Sequence, residues 1–94
     1  MDDPYQLSDR KRQVLALKAV GLTGEQIADA LLIEPDTVKN HLDKIRQQYG
    51  VSNTTQAIAA ALLAGALTLD ELKACWPGGW LEPKELLAWR TYQL

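Results

Sequence analysis

Apolar residues in this 94-residue chain recur at steps of three and four, and Gly21, Pro35 and Gly50 cut them into short runs. That pattern restricts the chain to short helices joined by tight corners. No stretch alternates apolar and polar residues at the period of a strand, so the expected fold class is all-α.

The first helix is expected over about residues 8–20, with Ser8 at its N-cap, Val14, Leu15, Leu17 and Val20 as apolar positions, and Gly21 as its stop. Thr23 offers the next capping oxygen. A second, short helix then runs from about Gly24 to Leu32 with Ile27, Ala28, Leu31 and Leu32 at i, i+1, i+4, i+5 as its apolar positions, and ends before Pro35. Pro35 suits a first helical turn, where its missing N–H costs nothing, and Val38, Leu42, Ile45 and Tyr49 then step by four, three and four. The third helix therefore spans about residues 35–49 and stops at Gly50. Ser52 to Thr55 supply capping side chains for an Ala-rich fourth helix over about 55–66, with Ala57, Ile58, Ala61 and Leu62 facing the core. Beyond Leu67 the composition changes. Thr68 caps a short helix to about Cys75, Pro77-Gly78-Gly79 turns the chain, and Pro83 opens a last helix toward Gln93. The organisation expected is a four-helix domain over 1–67 and a helical extension over 68–94, which holds all three tryptophans, Trp76, Trp80 and Trp89.

Composition narrows the chemistry. At 47% hydrophobic residues the chain can build one small core. A single cysteine, Cys75, allows neither an intrachain disulfide nor a zinc cluster, which fits a reducing cytoplasm. The N-terminus lacks a basic, then apolar, leader, and no run approaches the roughly 18 apolar residues of a membrane helix, so no membrane partner is expected. Neither a Gly-rich phosphate loop nor a nucleophile with a neighbouring base is present, so no enzyme activity, cofactor or metal is expected, and the lone His41 reads as structural. Ten Lys and Arg stand against twelve Asp and Glu, a net charge of -2. A partner that is a polyanion would therefore have to meet cations gathered on one face.

A short helix, a turn of three or four residues and a longer helix make a helix-turn-helix unit, whose second helix can enter a major groove about 12 Å wide. The second and third helices fit this description. The residues sharpen it: Leu7-Ser8-Asp9-Arg10-Lys11-Arg12-Gln13-Val14-Leu15, Gly21-Leu22-Thr23-Gly24-Glu25-Gln26-Ile27-Ala28, Thr37-Val38-Lys39-Asn40-His41, Tyr49-Gly50-Val51 and Thr55-Gln56-Ala57 follow one another in the order and spacing of the LuxR-type helix-turn-helix family, which this stretch resembles. The resemblance implies a four-helix fold, a third helix that reads the major groove, a fourth that carries the dimer contact, and transcriptional regulation as the function. Three positions depart from the family: Lys11 where Glu is usual, Thr54 where Arg is usual, and Glu34 where a small capping Ser is common. The first two together fit exchange of a supporting charge pair, and the third sets a carboxylate near a phosphate position.

Projected at about 100° per residue, the third helix puts Asp36, Asn40, Asp43 and Gln47 opposite its apolar side, with Lys39 and Lys44 on the flanks. Asn40 and Gln47 match adenine edges, Asp43 matches cytosine N4, and Lys39 suits guanine or a phosphate. Thr23, Thr37 and Lys44 are the candidate phosphate contacts, with further attraction from helix N-termini and the Arg10-Lys11-Arg12 run. Once one face of the fourth helix is spent on the core, Ala60, Leu63, Ala64 and Leu67 remain as a candidate two-fold dimer interface. The tryptophans are expected to fold back as a satellite core, with an exposed protein-binding patch as the alternative.

The reading is a regulator without an attached receiver or ligand-sensing domain that binds double-stranded DNA as a homodimer, with RNA polymerase or another regulator as a further candidate partner. The rival is a protein-interaction module, an anti-activator or polymerase-binding adaptor that kept this fold with weak or no DNA binding; the acidic balance, Glu34, Asp36 and Asp43 motivate it.

Overall fold

The chain punctuates itself where its turn chemistry requires, as the computed structural model, which describes residues 3–93, shows. Six helices follow in order: α1 (Asp9–Ala19), α2 (Gly24–Leu31), α3 (Pro35–Tyr49), α4 (Thr54–Ala64), α5 (Leu69–Ala74) and α6 (Pro83–Gln93). No strand occurs among the described residues.

The caps explain the boundaries. Ser8 Oγ accepts from Lys11 N at 3.3 Å to start α1. Thr23 and Gln26 form a capping box on α2: Thr23 Oγ1 accepts from Gln26 N at 3.2 Å while Gln26 Oε1 accepts from Thr23 N at 2.9 Å. Asn53, rather than a residue of the Thr54-Thr55 pair, caps α4 by accepting from Gln56 N at 2.8 Å. Thr68 does the same for α5 through Glu71 N at 3.1 Å. Glu34 occupies the N-cap of α3 and makes no side-chain capping bond, so Pro35, preset at the first turn, begins this helix unaided.

The fourth helix is shorter than expected. Gly65 adopts φ 78°, a left-handed conformation that is cheap only for glycine, and the N–H groups of Ala66 and Leu67 turn back onto Ala61 O at 2.9 and 3.1 Å. This reversal ends α4 at Ala64 and swings Leu67 inward.

Two clusters fill the interior. Leu7, Leu15, Ala16, Ile45, Ala57, Ala61 and Leu67 pack α1, α3 and α4 together, with Leu72 and Cys75 of the α5 region laid against them. Val14, Ile27, Ala28 and Val38 join α1, α2 and α3. Leu42 packs against both, so α3 is the element around which the others are arranged. The face of α3 that carries Val38, Leu42 and Ile45 is thereby used up, and its opposite face is left open.

The tryptophans do not form the expected satellite core. Every described side chain from Trp76 to Thr91 is exposed, and Trp89 retains 55% of its surface. Trp76 and Trp80 meet only edge to face, with centroids 5.1 Å apart. Pro77-Gly78-Gly79 turns the chain after α5, and α6 carries Leu86, Leu87 and Trp89 on one broad side beside Lys84, Glu85 and Arg90, with no buried residue of the domain packed against them.

Candidate nucleic-acid interface

A three-residue corner, Leu32-Ile33-Glu34, joins α2 to α3 and packs the two helices through Ile27, Ala28 and Val38. On the open side of α3, Lys39, Asn40, Lys44 and Gln47 are exposed and Thr37 is half-buried. Thr23, at the head of α2, is exposed; its oxygen already accepts from Gln26, which leaves its hydroxyl proton to donate.

Asp43 is only partly free for its expected role. Its carboxylate is half-buried and one oxygen, Oδ1, is paired with the Arg46 guanidinium one turn later on α3, which leaves Oδ2 as the acceptor for a cytosine amino group. The other terminal nitrogen of Arg46 donates to Thr54 Oγ1 at 2.9 Å. Thr54, the position where the family usually has Arg, thus receives a guanidinium from α3 instead of presenting one. The pairing also offsets one of the three carboxylates, Glu34, Asp36 and Asp43, that stand against an anionic partner. Its sequence signal was the i, i+3 spacing of Asp43 and Arg46.

The Arg10-Lys11-Arg12 run divides. Arg12 turns to the extension, pairing with Asp9 at 3.2 Å and Glu71 of α5 at 3.6 Å. Arg10 and Lys11 make no ion pair with the described residues, and neither do Lys39 and Lys44. His41 lies half-buried beside them. Burial first, then repulsion from Lys11, Lys44 and Arg10, holds its pKa below the usual imidazole value.

A short arm that the sequence did not reveal precedes α1. Gln48 Nε2 donates to Pro4 O at 3.0 Å and Gln6 O at 2.7 Å, and the Tyr49 hydroxyl donates to Tyr5 O at 2.8 Å. The Tyr5 and Tyr49 rings lie 5.1 Å apart. Burial, with Asp3 and Tyr5 nearby, pushes the Tyr49 pKa up to about 12. The polar ends of two adjacent α3 residues, Gln48 and Tyr49, were the available sequence signal.

Of the candidate dimer residues, Leu63 is 89% exposed, Ala64 is exposed and Ala60 is half-buried; together with Tyr5 they line a shallow hollow. Leu67 is corrected. At 1% exposure it belongs to the core of its own chain, because the Gly65 reversal takes it off the α4 face.

No group of three His, Cys, Asp or Glu lies placed to hold a metal ion among the described residues, and no helix there is long and apolar enough to cross a membrane.

These features, a packed helix corner whose second helix keeps one polar face open, define the class of helix-turn-helix DNA-binding domains. The family model for bacterial regulatory proteins of the luxR family matches residues 5–61, and the chain belongs to that family. The match begins inside the docked arm and leaves α5 and α6 outside. Among similar proteins, the HTH-type transcriptional regulator AlkS of Alcanivorax borkumensis is 45% identical over 58 residues, 60% of this chain and 7% of that protein. The DNA-binding transcriptional activator DevR/DosR of Mycobacterium tuberculosis is 36% identical over 73 residues, 78% of this chain and 30% of its own length. The spore germination protein GerE of Bacillus subtilis is 36% identical over 63 residues, 67% of this chain and 85% of that protein. The chain thus spans a small part of the first two relatives and most of the third. DNA-binding transcription regulation is the family's function, and the rival protein-interaction reading is not favoured.

Proposed function

We propose that this protein is a sequence-specific transcriptional regulator that inserts α3 into the major groove and binds its site as a homodimer. The observation that carries the reading is the open face of α3: Lys39, Asn40, Lys44 and Gln47 are all exposed and outside any ion pair with a described residue, and of the two acids on that face Asp43 is paired with Arg46 while Asp36 stands exposed in the first turn. Asn40 and Gln47 present amide groups suited to adenine edges, and Lys39 suits guanine O6 and N7. Thr23, Thr37 and Lys44 hold phosphates on either side, with Thr23 donating its free hydroxyl proton. Asp43 fixes Arg46 through Oδ1 and turns its second oxygen to a cytosine amino group.

The dimer contact falls to α4, where Leu63 and Ala64 are uncovered and Ala60 and Tyr5 flank them. Small residues there allow two helices to approach closely around a two-fold axis. Contact with RNA polymerase or another regulator falls to the uncovered side chains of α6.

Selection of a random duplex library on the purified protein, at low and then physiological salt, tests the reading. A symmetric enriched motif whose affinity falls as salt rises supports it, and the half-site spacing reports the dimer. Absence of any retained DNA at low salt overturns it.

A further inference from the structure

The DNA-reading face of α3 does not account for the cations beside it on α1. Val14 of α1 shares one buried cluster with Val38 of α3, and Leu15 shares the other with Ile45, so α1 lies along α3, where Arg10 and Lys11 act on His41 together with Lys44. Every charged group acting on His41 there is a cation: Lys11, Lys44 and Arg10. None of the three is ion-paired with a described residue, although Asp9 is adjacent in sequence; Asp9 is taken by Arg12, which also reaches Glu71. Asp9 and Glu71 pair with Arg12 and Asp43 with Arg46, and no described acid pairs with this cluster. Like charges gathered at a half-buried imidazole cost free energy in the isolated domain. An anion placed between them removes that cost.

We propose that Arg10 and Lys11 of α1, with Lys44 of α3, form a phosphate site that holds a backbone phosphate of the duplex beside the groove entered by α3. Lys11, which stands where the family usually has Glu, makes the site a property of this chain. Arg12 lies outside it. The proposal rests on the DNA-binding reading, but the anion site itself is separable from it.

The test uses the full chain and the double variant Arg10→Ala/Lys11→Glu, with helicity by circular dichroism as the check on folding. Binding to a random-sequence duplex is measured against salt, and the lone His41 is followed by proton NMR while inorganic tripolyphosphate is added. For the wild type, tripolyphosphate raises the His41 pKa; in the variant it does not. The dependence of log affinity on log salt becomes shallower by about 1 in the variant, at about 0.9 for the one phosphate no longer neutralised, with base preference unchanged. If the wild type binds duplex and the variant keeps its salt slope, the phosphate site is overturned and the regulator reading stands. If tripolyphosphate shifts His41 while no duplex binds, the anion site is real, its assignment to DNA is wrong, and the regulator reading falls. If neither anion affects His41, the site is overturned whatever the duplex does.

Discussion

Residues 7–75 and residues 76–91 carry similar shares of large apolar side chains, yet the first stretch covers most of them and the second leaves them all exposed. The difference is one of period and closure. Along α3 the apolar residues keep to one stripe that two clusters share, whereas Leu81, Leu86, Leu87 and Trp89 present no stripe to a neighbouring helix. Apolar content alone therefore does not make a core. The extension itself divides: α5 is tied down by Leu72, Cys75 and the Arg12–Glu71 pair, whereas α6 is held among the described residues by one exposed pair at its head, Lys73 with Glu82 at 3.5 Å.

The contrast is broken or sharpened most strongly by cavities. Leu67→Ala should cost about 2–5 kcal/mol in chemical denaturation, as for a fully buried leucine. Leu63→Ala, four residues earlier and almost wholly exposed, should leave the unfolding midpoint of the monomer unchanged and weaken only self-association in sedimentation. Equal losses from both would mean that α4 continues past Gly65 and that the reversal there is wrong. Next in size, Arg46→Ala removes a hydrogen bond to Thr54 and the pair with Asp43, for about 1–2 kcal/mol; Arg46→Lys should not restore it, since one ammonium does not reproduce the two-armed geometry.

Tyr49→Phe should cost about 1 kcal/mol through the lost bond to Tyr5 O. Its pH dependence has a definite sign. The folded pKa is raised from 10.0 to about 12, so the stabilisation is complete below pH 10 and is lost as pH rises through 12. Wild-type and Phe variants should converge in thermal stability across that window; parallel curves would show that the hydroxyl is not held.

The smallest effect has the opposite sign. Leu32 caps α2 at φ 56° with 92% of its surface exposed, a left-handed conformation that a branched side chain resists and nothing buries. Leu32→Gly should raise stability by about 0.5 kcal/mol, less than the full relief because glycine also frees the unfolded chain. Loss of stability there would show that Leu32 makes a contact in the folded chain.

The limits of α3 were legible because Pro35 and Gly50 act through the backbone, where one residue decides the outcome. The sequence points to a fourth helix running through Ala66 because Gly65 stands within a run of Ala and Leu whose local propensity continues the helix; only the αL turn onto Ala61 O ends it. At the site, exposure of Lys39, Asn40, Lys44 and Gln47 followed from helical projection alone. What projection could not supply was pairing between elements. Arg12 with Glu71, Arg46 with Thr54 and Gln48 with the arm each join residues brought near by the packed fold, and of these only the Asp43–Arg46 part lay within one helical turn.

The unequal fates of Arg10 and Arg12 bear on how an acidic molecule can approach a polyanion. At physiological ionic strength charges are felt over about 8 Å, so a duplex samples the nearest patch of this surface and not its sum. With Asp9 and Glu71 drawn to Arg12, the patch around Lys11 and Lys44 stays positive while the molecule as a whole is negative. An encounter through this patch is therefore favoured over one that meets the acidic parts of the surface.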